Sequence, residues 1–94
     1  ITSATGSEAL VYSSPSAASR LGEAILIGLN GATGLRNRGV FERPGLYVLR
    51  KTTMPAVLLE LGFITNPNDA ALMSGDPEAF ARGIYTGILE YLNL

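Results

Sequence analysis

The sequence predicts a layered α/β/α fold with a mixed sheet, and two patterns lead to this prediction. Short apolar segments typical of strands alternate with longer segments in which apolar residues recur at helical spacing. Their predicted order is strand, helix, strand, strand, helix, helix, which favours helices packed in layers on a sheet. With 94 residues, of which 47% are hydrophobic, the chain has room for at most one domain.

The first predicted strand covers Glu8 to Ser13 and follows a small polar arm, Ile1 to Ser7. Its composition indicates a strand, with Leu10 and Tyr12 on one face and Ala9 and Val11 on the other. Ser14 is the predicted N-cap of the next helix, with Pro15 at its first helical position. Small and apolar residues then recur at helical spacing up to Gly31, which is expected to end the helix in a left-handed conformation.

Two glycines inside this predicted helix, Gly22 and Gly28, each cost up to ~1 kcal/mol relative to alanine. Close packing of the helix on a sheet is the expected reason for them. Residues 31–45 form a predicted connection without periodicity. Leu46 to Arg50 and Ala56 to Leu61 are predicted strands, short and apolar as expected when both faces are covered.

Two helices are predicted at the C-terminus. Asn66, followed by proline, starts a short helix in which Asp69 has the position of a capping-box acid. Asp76, again followed by proline, starts the last helix. The apolar stripe of this helix is expected to pack against the sheet; it consists of Phe80, Ile84, Gly87, Ile88 and Tyr91, widened by Ala81, Leu89 and Leu92.

Glu60 is the candidate functional residue, because it interrupts the apolar segment from Val57 to Leu61. A buried carboxylate without a partner costs several kcal/mol or takes up a proton. Glu60 is also expected at the carboxyl end of its strand, where open α/β sheets place their sites. The structural alternative is a glutamate at a strand end, neutralised by an arginine such as Arg50 or hydrated by solvent.

Several motifs follow one another along the chain: Asn37-Arg38-Gly39-Val40, Leu46 to Arg50, Thr53-Met54-Pro55, Glu60-Leu61-Gly62-Phe63 and Asn66-Pro67. In this order they resemble the second half of the catalytic domain of zinc-dependent N-acetylmuramoyl-L-alanine amidases. The resemblance implies that residues 1–94 are the C-terminal part of a single catalytic domain, with Glu60 as the catalytic carboxylate. It also implies an architectural role for Glu8. Arg50, Arg38 and Asn37 are substrate-binding candidates, with an ion pair to Glu60 as the alternative for Arg50 and a role in shaping the turn before Leu46 as the alternative for Arg38 and Asn37.

This chain departs from the family at the zinc site. Family members bind zinc through two histidines and a glutamate in the first half of the domain, whereas this chain has no histidine and no cysteine. The resemblance therefore implies zinc in the complete domain and no metal ligand here. This chain alone is expected to be inactive and to need the N-terminal zinc-binding half of the same domain as its partner.

The implied reaction is hydrolysis of the amide bond between N-acetylmuramic acid and L-alanine in peptidoglycan. In the family, zinc polarises this amide and activates a water, and the glutamate transfers the proton. The implied location is extracellular or in the cell envelope, for a secreted bacterial or phage-encoded autolysin or endolysin. A non-catalytic module that binds or regulates the cell wall stays open as an alternative, as does a fragment that self-associates through an exposed strand.

Composition argues against two other classes of function. A net charge of −1 with scattered cations does not suit nucleic acid, which needs clustered positive charge for its phosphates. No apolar run approaches the ~20 residues that a membrane-spanning helix requires.

Overall fold

The computed structural model describes residues 4–94, so the first three residues of the predicted polar arm lie outside the described part of the chain. The described residues form three strands and four helices, which alternate along the chain until two helices follow one another at the C-terminus. The strands are β1 (Ser7–Val11), β2 (Asn37–Glu42) and β3 (Leu58–Glu60), and the helices are α1 (Ala17–Thr33), α2 (Tyr47–Arg50), α3 (Pro67–Gly75) and α4 (Pro77–Leu92).

The three strands form one mixed sheet in the order β2-β1-β3, which confirms the predicted fold class. The central strand β1 runs parallel to β2 and antiparallel to β3. Residues paired directly across neighbouring strands share a face of the sheet. One face therefore carries Ala9, Val40 and Leu59, and these pack with α1 in the core. The opposite face carries Glu8, Leu10, Phe41, Leu58 and Glu60.

Helix α1 begins and ends later than its sequence signals suggest. Ser16, not Ser14, is the N-cap, because its hydroxyl accepts from the backbone N–H of Ser19 while the Ser19 hydroxyl accepts from Ser16 N–H. Pro15 follows a cis peptide bond and lies outside the helix. Gly31 stays helical, and the left-handed C-cap with φ of 77° is Gly34. Gly31 faces open space, so nothing there forces the helix to end.

Two secondary-structure predictions for the middle of the chain are wrong. The connection predicted for residues 31–45 contains β2, whose side chains are partly or fully exposed. A strand with little burial shows no clear alternation, and its pairing with β1 is a long-range contact that local sequence does not reveal. Leu46 to Arg50 is helical and not a strand, with Arg50 N–H donating to the Leu46 carbonyl. A short apolar run fits either state, and here only Leu49 is buried.

The starts of α3 and α4 are confirmed at the predicted residues. The Asn66 side chain accepts from the N–H groups of Asn68 and Asp69, and the Asp76 side chain accepts from Ala79. In both helices a proline occupies the first turn. The signals are reliable because an N-cap satisfies backbone groups only two or three residues away.

Helix α4 packs mainly on α1, and glycines make the contact possible. A side chain at Gly28 would overlap the backbone of Gly83, and one at Gly87 would overlap the backbone of α1 at Ile25. Close helix-to-sheet packing thus explains Gly22, which lies against Ala9, while Gly28 serves helix-to-helix packing. The buried core cluster lies between these helices and the sheet and consists of Ala9, Ile25, Leu26, Leu29, Leu35 and Phe80.

Strand β3 is shorter and more exposed than predicted. It covers three residues, and Leu58 keeps 39% of its surface exposed. Burial on both faces, expected for the Ala56 to Leu61 segment, is therefore not found in this chain.

Within residues 4–94, no helix combines the length and apolarity needed to cross a bilayer.

Candidate active site

Glu60 lies at the last position of β3, in a row of three residues that crosses the sheet. Its partner on β1 is Glu8, and the partner of Glu8 on β2 is Gly39. Because β3 is antiparallel to β1, the carboxyl end of β3 lies beside the amino ends of the two parallel strands. The prediction that Glu60 ends its strand is confirmed. However, Glu60 does not lie in the crevice at the carboxyl ends of parallel strands, where open α/β sheets usually place their sites.

The environment of the Glu60 carboxyl group raises its pKa above the ordinary value of 4.5. Loss of solvent contributes most, followed by a hydrogen bond shared with the Glu8 carboxyl group and repulsion from the Glu8 charge, while Arg43 acts in the opposite direction. Glu60 as a residue is nevertheless exposed. The expectation of a buried glutamate is therefore wrong for this chain, and its solvent-facing alternative describes the position better.

Arg38 approaches this pair of carboxyl groups from β2. Its Nε lies 3.8 Å from Oε2 of Glu8, and its guanidinium carbon lies 4.9 Å from the centre of the Phe63 ring. A terminal nitrogen of Arg38 also reaches the Thr5 carbonyl at 3.4 Å. The register of β1 with β2 shifts between Ser7 and Glu8, so Arg38 is the extra residue of a bulge. Bulges of this kind re-aim a side chain, here toward Glu8.

Asn37 and Arg50 have different surroundings. The Asn37 side chain accepts from the N–H of Gly39 at 3.0 Å, a local turn that supports the bulge, where Gly39 has a φ of 103°. Arg50 is exposed on α2, with its guanidinium carbon 5.9 Å from the centre of the Tyr47 ring. The proposed Glu60–Arg50 ion pair does not form, since the ion pair within residues 4–94 joins Arg38 to Glu8.

Asp69 is a site component that sequence reasoning missed. Its carboxylate is fully buried and accepts from the Thr5 hydroxyl at 2.5 Å and from the N–H groups of Gly6 and Phe63, each at 3.0 Å. Burial alone would raise its pKa, but these hydrogen bonds outweigh burial and hold the pKa below 3.8. Asp69 thus ties the segment before β1 to the segment after Glu60 and is not a capping-box acid. The sequence shows an acidic residue three positions after Asn66, but it does not show the hydrogen-bond partners of that residue, because they lie far away in the chain.

A cleft of about 360 Å³ opens beside Glu60. Its lining residues are Glu60 and, just after it in the chain, Gly62, Phe63, Ile64 and Thr65. An exposed carboxyl group with a raised pKa, next to an open cleft, can exchange a proton with a molecule bound there.

The described residues do not form a zinc site. Within residues 4–94, no three side chains of the His, Cys, Asp or Glu type come together in a way that would hold a metal ion. Glu8 and Glu60 are two carboxylates with an arginine beside one of them, which is not the nitrogen- or sulfur-rich donor set that zinc prefers.

Comparison with known proteins identifies the family. The model of the N-acetylmuramoyl-L-alanine amidase family matches residues 1–90, so the chain belongs to this family. An uncharacterised cell wall amidase of Bacillus anthracis is 39% identical over 98 aligned positions, which cover 94% of this chain and 18% of that protein. An endolysin of Bacillus phage SPP1 is 46% identical over 63 positions, covering 65% of this chain and 23% of the endolysin.

Solved structures agree with the sequence relatives. The CwlD amidase of Clostridioides difficile, solved in complex with the GerS lipoprotein, superposes with a TM-score of 0.90 at 27% identity. The match covers 99% of this chain and 49% of the amidase chain. The chain therefore spans about half of the matched structure and a smaller share of the curated relatives it matches.

Proposed function

We propose that this chain is the C-terminal part, residues 1–94, of a single amidase catalytic domain that cleaves the bond between N-acetylmuramic acid and L-alanine in peptidoglycan. The observation that carries the proposal is Glu60 at the end of β3, exposed beside a cleft and with a raised pKa. Membership of the amidase family supplies the reaction class.

Glu60 is the proposed general base and acid of this reaction. Its carboxylate takes a proton from the attacking water and delivers it to the leaving amine of L-alanine. A raised pKa suits both steps, because it brings proton uptake and release closer to neutral pH. Arg38 lies near enough to the Glu60 row to contact an anionic group of the substrate, and Asn37 shapes the bulge beside it. Arg50 is exposed on α2 and does not line the cleft beside Glu60.

Zinc and the rest of the site belong, in this proposal, to an N-terminal half of the same domain. The family is generally zinc-dependent, and the described residues offer no zinc site. The sheet face that bears Glu60 has exposed apolar side chains at Phe41 and Leu58, which a partner layer would cover. The cell wall and endolysin relatives support action outside the cell or in the envelope, on peptidoglycan as the substrate.

A module that binds the cell wall without cutting it is the second candidate. The absence of histidine in the chain fits this candidate, and it fits equally a catalytic domain of which this chain is only the C-terminal part. Such a binder has no need for Glu60, whereas the hydrolase does. The two candidates therefore predict different results for a variant that lacks the Glu60 carboxylate.

The deciding experiment uses Glu60→Gln in the complete domain, whether continuous or assembled from two halves. The amide keeps size and hydrogen bonding but removes the base, so turnover of peptidoglycan should fall roughly 10²–10⁴-fold. Zinc content should stay the same, since the family's ligands lie elsewhere. Full activity in this variant, or joint loss of zinc and activity, would refute the assigned role.

Two controls accompany this experiment. Arg50→Ala tests the alternative in which Glu60 is a structural partner of Arg50, and we expect it to leave the thermal midpoint unchanged because no ion pair joins the two residues. The 94-residue chain by itself should bind no stoichiometric zinc and release no stem peptides from murein. Zinc binding with hydrolysis by this chain alone would contradict the division into halves.

A further inference from the structure

Glu8 lies between two charged groups, one on each neighbouring strand. On the β2 side its Oε2 is 3.8 Å from Nε of Arg38, and on the β3 side its direct register partner is Glu60. Its side chain retains 13% exposure, so solvent screens these interactions less than at a free surface. No function in the proposed reaction has been assigned to Glu8 so far.

Opposite residues in an antiparallel pair lie close enough for their side chains to interact, and like charges there repel. Arg38 lies beside the Glu8 carboxylate on the β2 side, with its Nε 3.8 Å from Oε2. On the β3 side, repulsion from the Glu8 charge acts on Glu60 and contributes to the raised pKa of the Glu60 carboxyl group. The charged groups that act on Glu60 are Glu8 from β1 and Arg43, which lies just after β2 and opposes the effect of Glu8.

The position of Arg38 is itself linked to the segment after Glu60. The guanidinium lies over the Phe63 ring at 4.9 Å, and Phe63 N–H is held by Asp69. The Arg38 Nε is buried and has no hydrogen-bond partner within the described residues, so the Glu8 carboxylate is its available counter-charge. Glu8 thus lies between Arg38, which extends from the bulge of β2, and Glu60, which ends β3.

We propose that Glu8 is a positioning residue: placed between Arg38 on β2 and Glu60 on β3, it orients the Glu60 carboxyl group for proton transfer. The proposal rests on Glu60 being the general base of the proposed function. It goes beyond an architectural role, because the charge of Glu8, and not only its place in the strand, acts on Glu60.

Glu8→Gln in the complete domain tests this directly. The substitution keeps the size of the side chain and removes its charge, so Glu60 should lose its proton at lower pH. The acid limb of the pH profile of kcat/KM should move to lower pH, and the plateau should fall far less than the 10²–10⁴-fold expected when the base is removed. The titration of the Glu60 carboxyl carbon, followed by ¹³C NMR and assigned by its loss in Glu60→Gln, should move the same way.

Glu23→Gln is the matched control. Glu23 is exposed on α1, away from the Glu8 row, and the substitution removes the same charge. We expect neither the kcat/KM profile nor the NMR titration of Glu60 to move in this variant. An equal shift in both variants would mean that overall charge, and not the position of Glu8, is responsible, and would overturn the proposal.

The outcomes separate this proposal from the proposed function. An unchanged Glu60 titration in Glu8→Gln overturns the role of Glu8, whatever the activity of the domain. Full activity in Glu60→Gln overturns the catalytic assignment, while the NMR titration still reports whether Glu8 controls the Glu60 proton. If Glu8→Gln does not fold, Glu8→Asp withdraws the carboxylate by one methylene and should shift the titration in the same direction by a smaller amount; no shift there refutes the proposal.

Discussion

The two faces of the sheet differ in how far other parts of the chain cover them. On the face of Ala9, helix α1 packs on the strands and α4 packs on α1, with glycines that bring the two helix backbones into contact. On the face of Glu60, Phe41 and Leu58 are exposed and charged side chains surround the end of β3. The first face is closed by groups within this chain, whereas the second is open.

The difference shows that stability and chemistry draw on different interactions in this molecule. The helical side depends on close packing, in which even one added methyl group is felt. The Glu60 side depends on a few polar groups, chiefly Asp69 and the Arg38–Glu8 pair, that fix loops around an open cleft. Variants on the two sides should therefore fail in different ways.

The largest effect on stability is expected at Asp69. Asp69→Ala leaves the N–H groups of Gly6 and Phe63 without their buried acceptor, which should cost about 3 kcal/mol of unfolding free energy in urea titration. Asp76→Asn is the control, because asparagine is an equally good N-cap and should leave stability nearly unchanged. Equal stability of Asp69→Ala and the wild type would show that the Glu60 side does not depend on this carboxylate.

The same residue gives a pH dependence with a defined sign. Because the folded pKa of Asp69 lies below its ordinary value of 3.8, the ionised carboxylate favours folding. Its contribution is fully present above pH 3.8 and is lost as the pH falls through the folded pKa. Asp69→Asn should remove this part of the acid sensitivity; an unchanged acid-unfolding profile would contradict it.

The helical side should respond to a single methyl group. Gly28→Ala places a Cβ against the Gly83 backbone, so we expect a loss of about 2 kcal/mol in unfolding free energy, in spite of the better helix propensity of alanine. Turnover per folded molecule should be unchanged. A stability gain would mean that α1 and α4 separate without cost.

The open face is tested by Leu58→Lys. If an N-terminal half covers this face, a charge at Leu58 should weaken the association of the two halves by about 1.5 kcal/mol, measured by titration calorimetry. Ile27→Lys is the matched control, since Ile27 is exposed on α1 and should not affect association. Equal weakening by both variants would place the partner elsewhere.

The smallest effect is expected at Gly31, where the change is a gain. Gly31→Ala is the same substitution in the same helix as Gly28→Ala, but its Cβ meets open space. Better helix propensity should therefore stabilise the protein by roughly 0.5–1 kcal/mol in the same urea titration. A loss comparable to that of Gly28→Ala would remove the contrast between packed and open positions.

Much of the fold was predictable where the signal was local. Asn66 and Asp76, each followed by proline, mark the helix starts within one residue. The predictions for β2 and α2 were wrong, because the local signal in these two segments is weak or ambiguous. β2 has too little burial to show alternation, and the four apolar residues before Arg50 do not distinguish a strand from a helical turn.

The candidate site was predictable in part. Glu60 was singled out because a carboxylate in an apolar run is costly, and its place at a strand end is confirmed. Asp69 was misassigned, since its partners Thr5 and Gly6 lie more than sixty positions away. The Glu60–Arg50 pair was wrong because Arg50 lies on a helix and not on a strand beside Glu60.

The sequence by itself determined the fold class, the helix starts and the unusual placement of one glutamate, because caps, periodicity and transfer cost act within a few residues. Only the tertiary structure decided that Glu60 faces Glu8, that Arg38 reaches Glu8 through a bulge, and that Asp69 joins both ends of the site. These contacts depend on strand register and chain reversal, which arise when segments distant in sequence pack together.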